Sequence, residues 1–414
     1  MSPTIFFVFL GSLLVLAFVA NRLYRITRIP DVIVLMAVGL VLGPVTGWVN
    51  SAQFQPITHI LGTLALILVL FEGGLELNLR DTLRHFPGGV LLAIAGYAFS
   101  MGLVGLAAWK LHYFALRPAL MIGAVLGCVS STIVLPVLQQ IRVSYPVRLT
   151  LLVESSLSDV IGVLTVSILL VLTPGVAPHW AGFVAGVLSK LVACILGAVA
   201  AGMIWSRLLP RLSEQRFWQV LTFSVVLLIY AGTQAASHGG LIAVLAFGLT
   251  LANARRADLS LFEAALGVRA PGSEQHLEIL SFHSELAFLV RSFFFILLGI
   301  IVQLSGLRGY ALLTAVTFFA LVVARWLAVK LTGFTWGEKD RSERGVALWI
   351  FPRGLITAVL AIQVIESRGA QFAFLPALAF AIILFTNILI VIESVRRGPA
   401  PAIAEPVVAA GKNL

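Results

Sequence analysis

The stretch LLVESSLSDVIGVL, residues 151–164, places two carboxylates, Glu154 and Asp159, inside a run of apolar residues. A charged side chain at the centre of a bilayer costs about 2.5–3.5 kcal/mol on insertion scales, so such residues are rare in membrane-spanning helices. Where they occur, they face the interior of the protein and are compensated by a partner. This stretch therefore raises two questions: whether it crosses a membrane, and what faces each of its acids.

The composition of the chain answers the first question. Of its 414 residues 60% are hydrophobic and 11% are charged, and the mean hydropathy is +1.04, whereas soluble domains have about 25% charged residues. Apolar stretches near the roughly 20 residues that span a bilayer recur along almost the whole chain. We therefore predict an all-α polytopic membrane protein with about 13 transmembrane helices. The expected spans are approximately residues 4–21, 30–49, 57–76, 87–109, 118–139, 148–173, 180–206, 217–236, 240–254, 280–303, 309–331, 346–366 and 371–394.

Topology accounts for the net charge of +10. Twenty of the 28 Lys and Arg residues lie in the C-terminal tail and in the loops of one side, and only four lie in the opposite loops. The positive-inside rule then places the N-terminus outside and the C-terminus in the cytoplasm, as in a bacterial inner membrane. We expect no nucleic-acid partner. Because the chain has neither a GxGxxG motif nor a phosphate-binding loop, we also expect no enzyme and no cofactor.

Two spans contain residues that interrupt helices. The fifth includes GCVSSTIVLPVLQ, residues 127–139, and the twelfth includes WIFPRGLITAVLA, residues 349–361. Proline removes a backbone donor and glycine loosens a helix, so we expect both spans to unwind where they line a cavity or are buried. Such segments at corresponding positions of two halves indicate a transporter. The halves are repeat one, about 1–175, and repeat two, about 215–396, with a linker helix at about 178–208 and a short tail at 397–414, all within one transmembrane domain.

The two acids of the opening stretch have different surroundings. They are five residues apart, which is about 140° around a helix. Ser155 shares the face of Asp159, and Ser158 shares the face of Glu154. We assign Glu154 to Arg353 as a structural ion pair that steadies the twelfth span. Asp159 is then left to titrate: burial favours the protonated carboxyl and a bound cation favours the carboxylate, so a proton and a monovalent cation compete for it.

Other charged residues inside the expected spans have their own expected surroundings. We expect Lys190 and Arg325 to extend toward the interface. Arg291 remains as a core charge and, with Arg353, as a candidate partner for the acids, because a buried guanidinium needs an anion. Glu72 either widens the cation pathway or faces interfacial water, and both alternatives stay open.

Four motifs occur in one order along the chain: LFEGGLEL (70–77), ESSLSD (154–159), ELAFLVRSFFFILLG (285–299) and FPRGLITAVLA (351–361). At these motifs the chain resembles the monovalent cation:proton antiporter superfamily, and the resemblance covers nearly all of it. It implies inverted repeats, two broken helices that cross in a core domain, and a separate domain that forms a homodimer. It also implies that Asp159 binds the transported ion in alternation with protons, with lipid as the only other expected partner.

Two departures from the family pattern refine this expectation. The sixth span carries Ser158-Asp159, where the sodium/proton exchanger branch has Asn-Asp and electrogenic members have Asp-Asp. Since electrogenic relatives also tend to carry Lys in place of Arg291, we expect electroneutral 1:1 exchange. The fifth span reads SSTIVLP, residues 130–136, as in the potassium-efflux branch, and lacks the Thr-Asp-Pro of the exchanger branch. A hydroxyl or carbonyl ligand for Na⁺ or K⁺ would come from one of three residues: Ser130, Ser131 and Thr132.

Three other functions are compatible with an apolar chain of this kind. A cation channel or uniporter would carry current without proton counterflow. A sodium-coupled symporter for an organic anion would need donors for that anion, but the cations near Asp159 are expected to be paired. A membrane sensor that transports nothing would need an output domain, and no polar stretch of this chain is long enough for one.

Overall fold

The computed structural model of the chain describes residues 3–49, 51–76, 79–111, 113–171, 180–237, 239–253, 273–303, 309–335 and 343–397. Helices make up most of these residues, and the described ranges contain no β-strand. The α-helices, in chain order, are α1 (Pro3–Thr27), α2 (Asp31–Leu40), α3 (Ser51–Glu76), α4 (Leu79–Lys110), α5 (Leu116–Leu126), α6 (Ser131–Gln140), α7 (Tyr145–Val171), α8 (Trp180–Leu212), α9 (Trp218–Ser237), α10 (Gly240–Asn253), α11 (Ser273–Ile301), α12 (Ala311–Leu331), α13 (Arg344–Trp349), α14 (Leu355–Arg368) and α15 (Leu375–Arg397).

The helices have the length and apolarity of membrane spans. Eight of the described segments are long and apolar enough to cross a bilayer, and four shorter apolar helices accompany them. The expected all-α membrane fold is therefore confirmed. The number of 13 spans stays a prediction, because several of the described helices are shorter than a full span.

Both expected breaks are present. The first separates α5 from α6 at residues 127–130, and the second separates α13 from α14 at residues 350–354. In the first of these broken spans the unwound part ends at Ser130, whereas Ser131, Thr132 and Pro136 lie inside α6. A proline in the second turn of a helix removes only one backbone hydrogen bond, so α6 continues through it.

The helices pack as two groups. Lobe 1 consists of α1–α3 and α8–α11, and lobe 2 consists of α4–α7 and α12–α15; helices contact mainly other helices of their own lobe. The lobes meet chiefly where α3 lies against α14, with smaller contacts between α7 and α10 and between α11 and α14. Both broken spans belong to lobe 2, so the irregular backbone is enclosed by protein.

The expected repeat boundaries and the expected C-terminal tail stay predictions. Each lobe takes helices from both expected repeats, but the boundaries at about 175 and 215 are not fixed by this packing. The expected tail at 397–414 lies, from residue 398 onward, outside the described residues.

Candidate functional site

The two breaks touch each other inside lobe 2. The backbone N–H of Ser130 donates to the carbonyl of Pro352 at 2.8 Å, which joins the unwound part of one span to that of the other. Gly354 allows this approach, because a Cβ atom there would lie 2.7 Å from the Cβ atom of Ser130. The missing side chain at residue 354 is therefore a requirement of the crossing.

Polar side chains of α15 satisfy the backbone of the second break. The Asn387 side-chain amide donates to the carbonyl of Arg353 at 3.0 Å, and the Arg353 N–H donates to the Thr386 hydroxyl at 3.1 Å. Both α15 residues are buried. Unwound backbone at membrane depth needs such partners, since no water is present to replace them.

Asp159 lies on α7 against the start of α6. Its Oδ2 atom accepts the Ser131 hydroxyl at 2.7 Å and the Ser131 N–H at 3.3 Å. The side chain is buried, with 1% of its surface exposed, and its Oδ1 atom has no hydrogen-bond partner among the described residues. A buried carboxylate oxygen without a donor needs a proton or a cation beside it.

The other hydroxyls near Asp159 have separate roles. Ser130 and Thr132 hydrogen-bond each other at 2.9 Å. The Ser158 hydroxyl accepts the Val129 N–H at 2.9 Å and thereby holds the first break against α7. Ser155 lies one turn before Asp159 on the same face of α7, and its hydroxyl donates to the Leu152 carbonyl of its own helix at 3.1 Å. Its expected role as an ion ligand stays a prediction.

The expected ion pair between Glu154 and Arg353 is wrong. Glu154 is paired with Arg325 of α12, whose two terminal nitrogens both donate to the carboxylate. Arg325 is 3% exposed, so it does not extend to the interface as expected. The same guanidinium donates to the carbonyls of Ala347 and Ile350 and so satisfies acceptors at the end of α13 that have no partner in the helix. This bidentate ion pair thereby holds the backbone next to the second break in place.

Arg353 is buried, and no carboxylate of the described residues forms an ion pair with it. Its Nη2 atom donates to the Ser100 hydroxyl at 3.1 Å, and its Nε and Nη1 atoms have no hydrogen-bond partner among the described residues. The Phe351 ring lies 5.9 Å from the Arg353 guanidinium. Its charge acts electrostatically on Asp159 and on Glu154. Arg353 therefore places a buried positive charge within electrostatic range of Asp159.

Arg291 links the two lobes beside the site. From α11 in lobe 1, it pairs with Asp31 of α2 at 3.3 Å and donates to the Thr132 carbonyl of α6 at 3.4 Å. That carbonyl is available because Pro136, four residues later, has no N–H to bond it. Glu72 of α3 is half-buried and within electrostatic range of Arg291.

Sequence reasoning missed several members of this network. Thr386 and Asn387 are an adjacent polar pair in an otherwise apolar span, which is a signal that could have found them. Asp31 follows Pro30 at the edge of the second span and resembles an interfacial residue. Arg325 was recognised as an intramembrane charge, but nothing in the sequence indicated its partner. No group of three His, Cys, Asp or Glu side chains in the described ranges converges as metal ligands.

Comparisons with known proteins also point to cation:proton antiporters. A profile described as sodium/hydrogen exchanger, transmembrane, matches residues 4–394. The K⁺/H⁺ antiporter NhaP of Alkalimonas amylolytica is 26% identical over 364 residues, which are 85% of this chain and 59% of that protein. The Na⁺/H⁺ antiporter 1 of Methanocaldococcus jannaschii is 25% identical over 382 residues, which are 86% of this chain and 82% of that protein. The chain thus spans less than two thirds of the length of the first relative.

A solved structure shares the fold. The sodium proton antiporter MjNhaP1 from Methanocaldococcus jannaschii at pH 8 matches with a TM-score of 0.70 and 22% sequence identity, over 96% of each chain. At this identity the likeness concerns the arrangement of helices. It confirms the architecture that the motifs and broken spans predicted.

Proposed function

The chain belongs to the sodium/hydrogen exchanger family, and from this membership we propose that it exchanges a monovalent cation, Na⁺ or K⁺, for protons across the membrane. The observation that carries the proposal is the buried carboxylate of Asp159, whose Oδ1 atom has no donor in the described part of the chain. A proton or a cation at that oxygen compensates the charge, and the two exclude each other there. Competition for one carboxylate is the minimum that an exchanger requires.

The ligands around Asp159 are hard oxygen atoms. The Ser131 hydroxyl already contacts the carboxylate, and Ser130 at the end of the first break and Thr132 in α6 flank it in sequence. Oxygen ligands of this kind suit Na⁺ and K⁺ and are poor for soft metals. The single acid leaves the choice between the two cations to cavity size. It supports an exchange ratio of one cation for one proton, which is electroneutral.

Coupling follows from the charge of the loaded site. A protonated Asp159 and a cation-bound Asp159 have the same net charge, whereas the empty carboxylate carries one more negative charge. Moving that bare charge through the low-dielectric contact between lobes is costly. Lobe 2 therefore moves past lobe 1 only when loaded with a proton or a cation, which gives alternating access without a leak.

We also propose how the protein is assembled and oriented in the membrane. Lobe 1 forms the stationary scaffold and the homodimer contact, and lobe 2 carries the site. The N-terminus faces outward and the C-terminus faces the cytoplasm of a bacterial cell. The charge asymmetry of the loops supports this orientation.

Proton flux in proteoliposomes tests the proposed exchange. The purified chain is reconstituted with an internal pH dye, and Na⁺, K⁺ or Li⁺ is added outside, first with the voltage clamped by an ionophore and then without the clamp. We expect cation-driven proton movement that the clamp does not change. Proton movement that follows the clamped voltage would indicate a channel or uniporter, and no response to any cation would contradict the proposal.

A further inference from the structure

A second polar feature lies between the two lobes, apart from the contacts of Asp159. A cavity of about 120 Å³ is enclosed by α3, α9 and α10 of lobe 1 and by α7 and α14 of lobe 2. Its polar lining consists of Thr63, Ser167, Tyr230, Gln234 and Gln363. A volume of this size holds several water molecules.

Most of these polar groups have no hydrogen-bond partner in the described part of the chain. Gln234 accepts the Gly240 N–H at 3.1 Å. The other four polar side chains make no hydrogen bond to any described residue: Thr63, Ser167, Tyr230 and Gln363. Uncompensated polar groups at membrane depth are costly, so their convergence on one cavity indicates that the cavity is filled by something polar.

The cavity is aligned with Asp159. Asp159, Val163 and Ser167 are spaced four residues apart, so they share one face of α7, and Ser167 lies about 12 Å along the helix from Asp159. The cavity lies toward the ends of α7, α9 and α14. These ends are on the side with few basic residues, which we expect to be outside.

We propose that this cavity is a second, carboxylate-free site in which a partly hydrated monovalent cation rests against the oxygens of Ser167 and Gln363 before it reaches Asp159. The proposal rests on the exchange function proposed above. Neutral amide and hydroxyl oxygens replace part of the hydration shell of Na⁺ or K⁺ and leave the remaining waters in place.

The apolar part of the lining explains why a cation stays in the cavity. Leu66, Val163 and Val359 are buried, and Val163 stands one turn from Asp159 on the helix face that leads to the cavity. Gly62 of α3 packs closely on Val359 of α14, since a Cβ atom there would lie 2.8 Å from the valine side chain. A hydrated cation cannot pass this contact until the lobes move apart.

Cysteine labelling tests occupancy directly. Ser167→Cys is reconstituted and exposed to a membrane-impermeant cationic thiol reagent, trimethylammonium-ethyl methanethiosulfonate, and the mass of the protein is followed with time. The native Cys128 and Cys194 are buried, so the unmodified chain gives the background. We expect Ser167→Cys to react roughly ten-fold faster than Val166→Cys, the fully buried neighbour, because thiol reactivity depends on exposure. Saturating Na⁺ or K⁺ should slow the reaction, and choline at equal concentration should not.

Transport by Gln363→Leu gives a second readout. Losing one oxygen ligand should raise the KM for the cation roughly five-fold, with little change in thermal stability. Gln371→Leu, at an exposed glutamine beyond α14, is the matched control and should leave the KM unchanged. If Ser167→Cys does not fold, Thr63→Cys, across the cavity on α3, takes its place in the labelling measurement.

The outcomes separate this inference from the proposed function. Labelling that Na⁺ and K⁺ do not slow, or a normal KM in Gln363→Leu, would overturn the second site while leaving exchange at Asp159 intact. The labelling measurement does not depend on transport, so it gives a result even if the protein exchanges no ions. Failure of the exchange proposal is recognised separately, by the absence of cation-driven proton flux in the unmodified chain.

Discussion

The charged side chains inside lobe 2 form two groups with different consequences. Glu154 and Arg325 neutralise each other and hold backbone carbonyls near the second break. Asp159 has one oxygen bonded to Ser131 and one without a partner among the described residues. An ion pair whose two charges neutralise each other, here called the closed pair, stabilises the fold. The incompletely bonded Asp159 is available to bind a proton or a cation in turn.

Breaking the closed pair should destabilise the protein. Glu154→Gln leaves the buried Arg325 unpaired, which should lower the free energy of unfolding by about 3–5 kcal/mol. Arg396→Gln removes an exposed partner of Glu393 and should cost less than about 1 kcal/mol. Thermal unfolding in detergent measures both variants.

A double-mutant cycle decides which arginine is the partner. The effects of Glu154→Gln and Arg325→Gln should couple strongly, and those of Glu154→Gln and Arg353→Gln should be closer to additive. Stronger coupling to Arg353 than to Arg325 would contradict the pairing described here and favour the pairing expected from sequence.

The ligand role of Ser131 gives a prediction about affinity. Ser131→Ala removes a hydroxyl hydrogen-bonded to a charged group, an interaction worth about 1.5–3 kcal/mol, so the KM for the cation should rise roughly ten-fold or more. Ser155→Ala is the comparison variant on the same face of α7 as Asp159, and it should raise the KM less, because that hydroxyl gives its hydrogen to its own helix and not to the carboxylate. Cation-dependent proton flux measures both variants; equal effects would mean that the contact of Ser131 with Asp159 carries no special weight.

At the scale of helices, the two breaks act as one unit. The hydrogen bond from Ser130 to Pro352 joins them, Gly354 permits their contact, and Asn387 of α15 completes the backbone bonding. The sequence located both breaks because proline, glycine and consecutive hydroxyls interrupt an apolar run. It did not reveal which distant side chains satisfy the freed backbone, since that depends on packing between α12, α13 and α15.

Adding one methyl group at the crossing should disturb transport. In Gly354→Ala the new Cβ atom would meet the side chains of Ser130 and Ile133, so the two breaks must separate. We expect a large loss of exchange, with the protein still inserted in the membrane. Gly102→Ala on α4, where nothing lies within 4 Å of the new atom, is the control and should retain exchange. Normal exchange in Gly354→Ala would mean that the close contact is unimportant.

At the scale of the whole molecule, the two lobes are the units that move. Gly62→Cys with Val359→Cys would link α3 to α14 across the lobe contact, where the glycine Cβ position is 2.8 Å from a valine methyl group. Gly96→Cys with Ala328→Cys would link α4 to α12 within lobe 2, at a Cβ separation of 3.8 Å that suits a disulfide. Oxidation should stop exchange reversibly in the first variant and leave most of it in the second. Full exchange in the oxidised inter-lobe variant would contradict movement between lobes.

Much of the architecture could be predicted from residues alone, because hydropathy reports directly on apolar spans, whereas the orientation drawn from the loop charges stays a prediction. Asp159 and Ser131 could also be identified from the sequence, because they are polar residues in apolar runs. The wrong pairing of Glu154 shows the limit: Arg325 and Arg353 are both intramembrane arginines, and only the packing of α7 and α12 on the same helix, α4, selects one of them. The role of Ser155 stays a prediction for a related reason, because a hydroxyl inside a helix can bond its own backbone and still face the site.

The central claim is that a proton and a cation compete for the Asp159 carboxylate, and proton release on cation binding tests it most directly. Na⁺ or K⁺ is added to the weakly buffered, detergent-solubilised protein, and a pH dye follows the protons that are released. We predict at most one proton per chain in the unmodified protein and in Glu278→Gln, an exposed acid on α11, and none in Asp159→Asn. Undiminished proton release from Asp159→Asn would contradict the account and place the exchange site elsewhere.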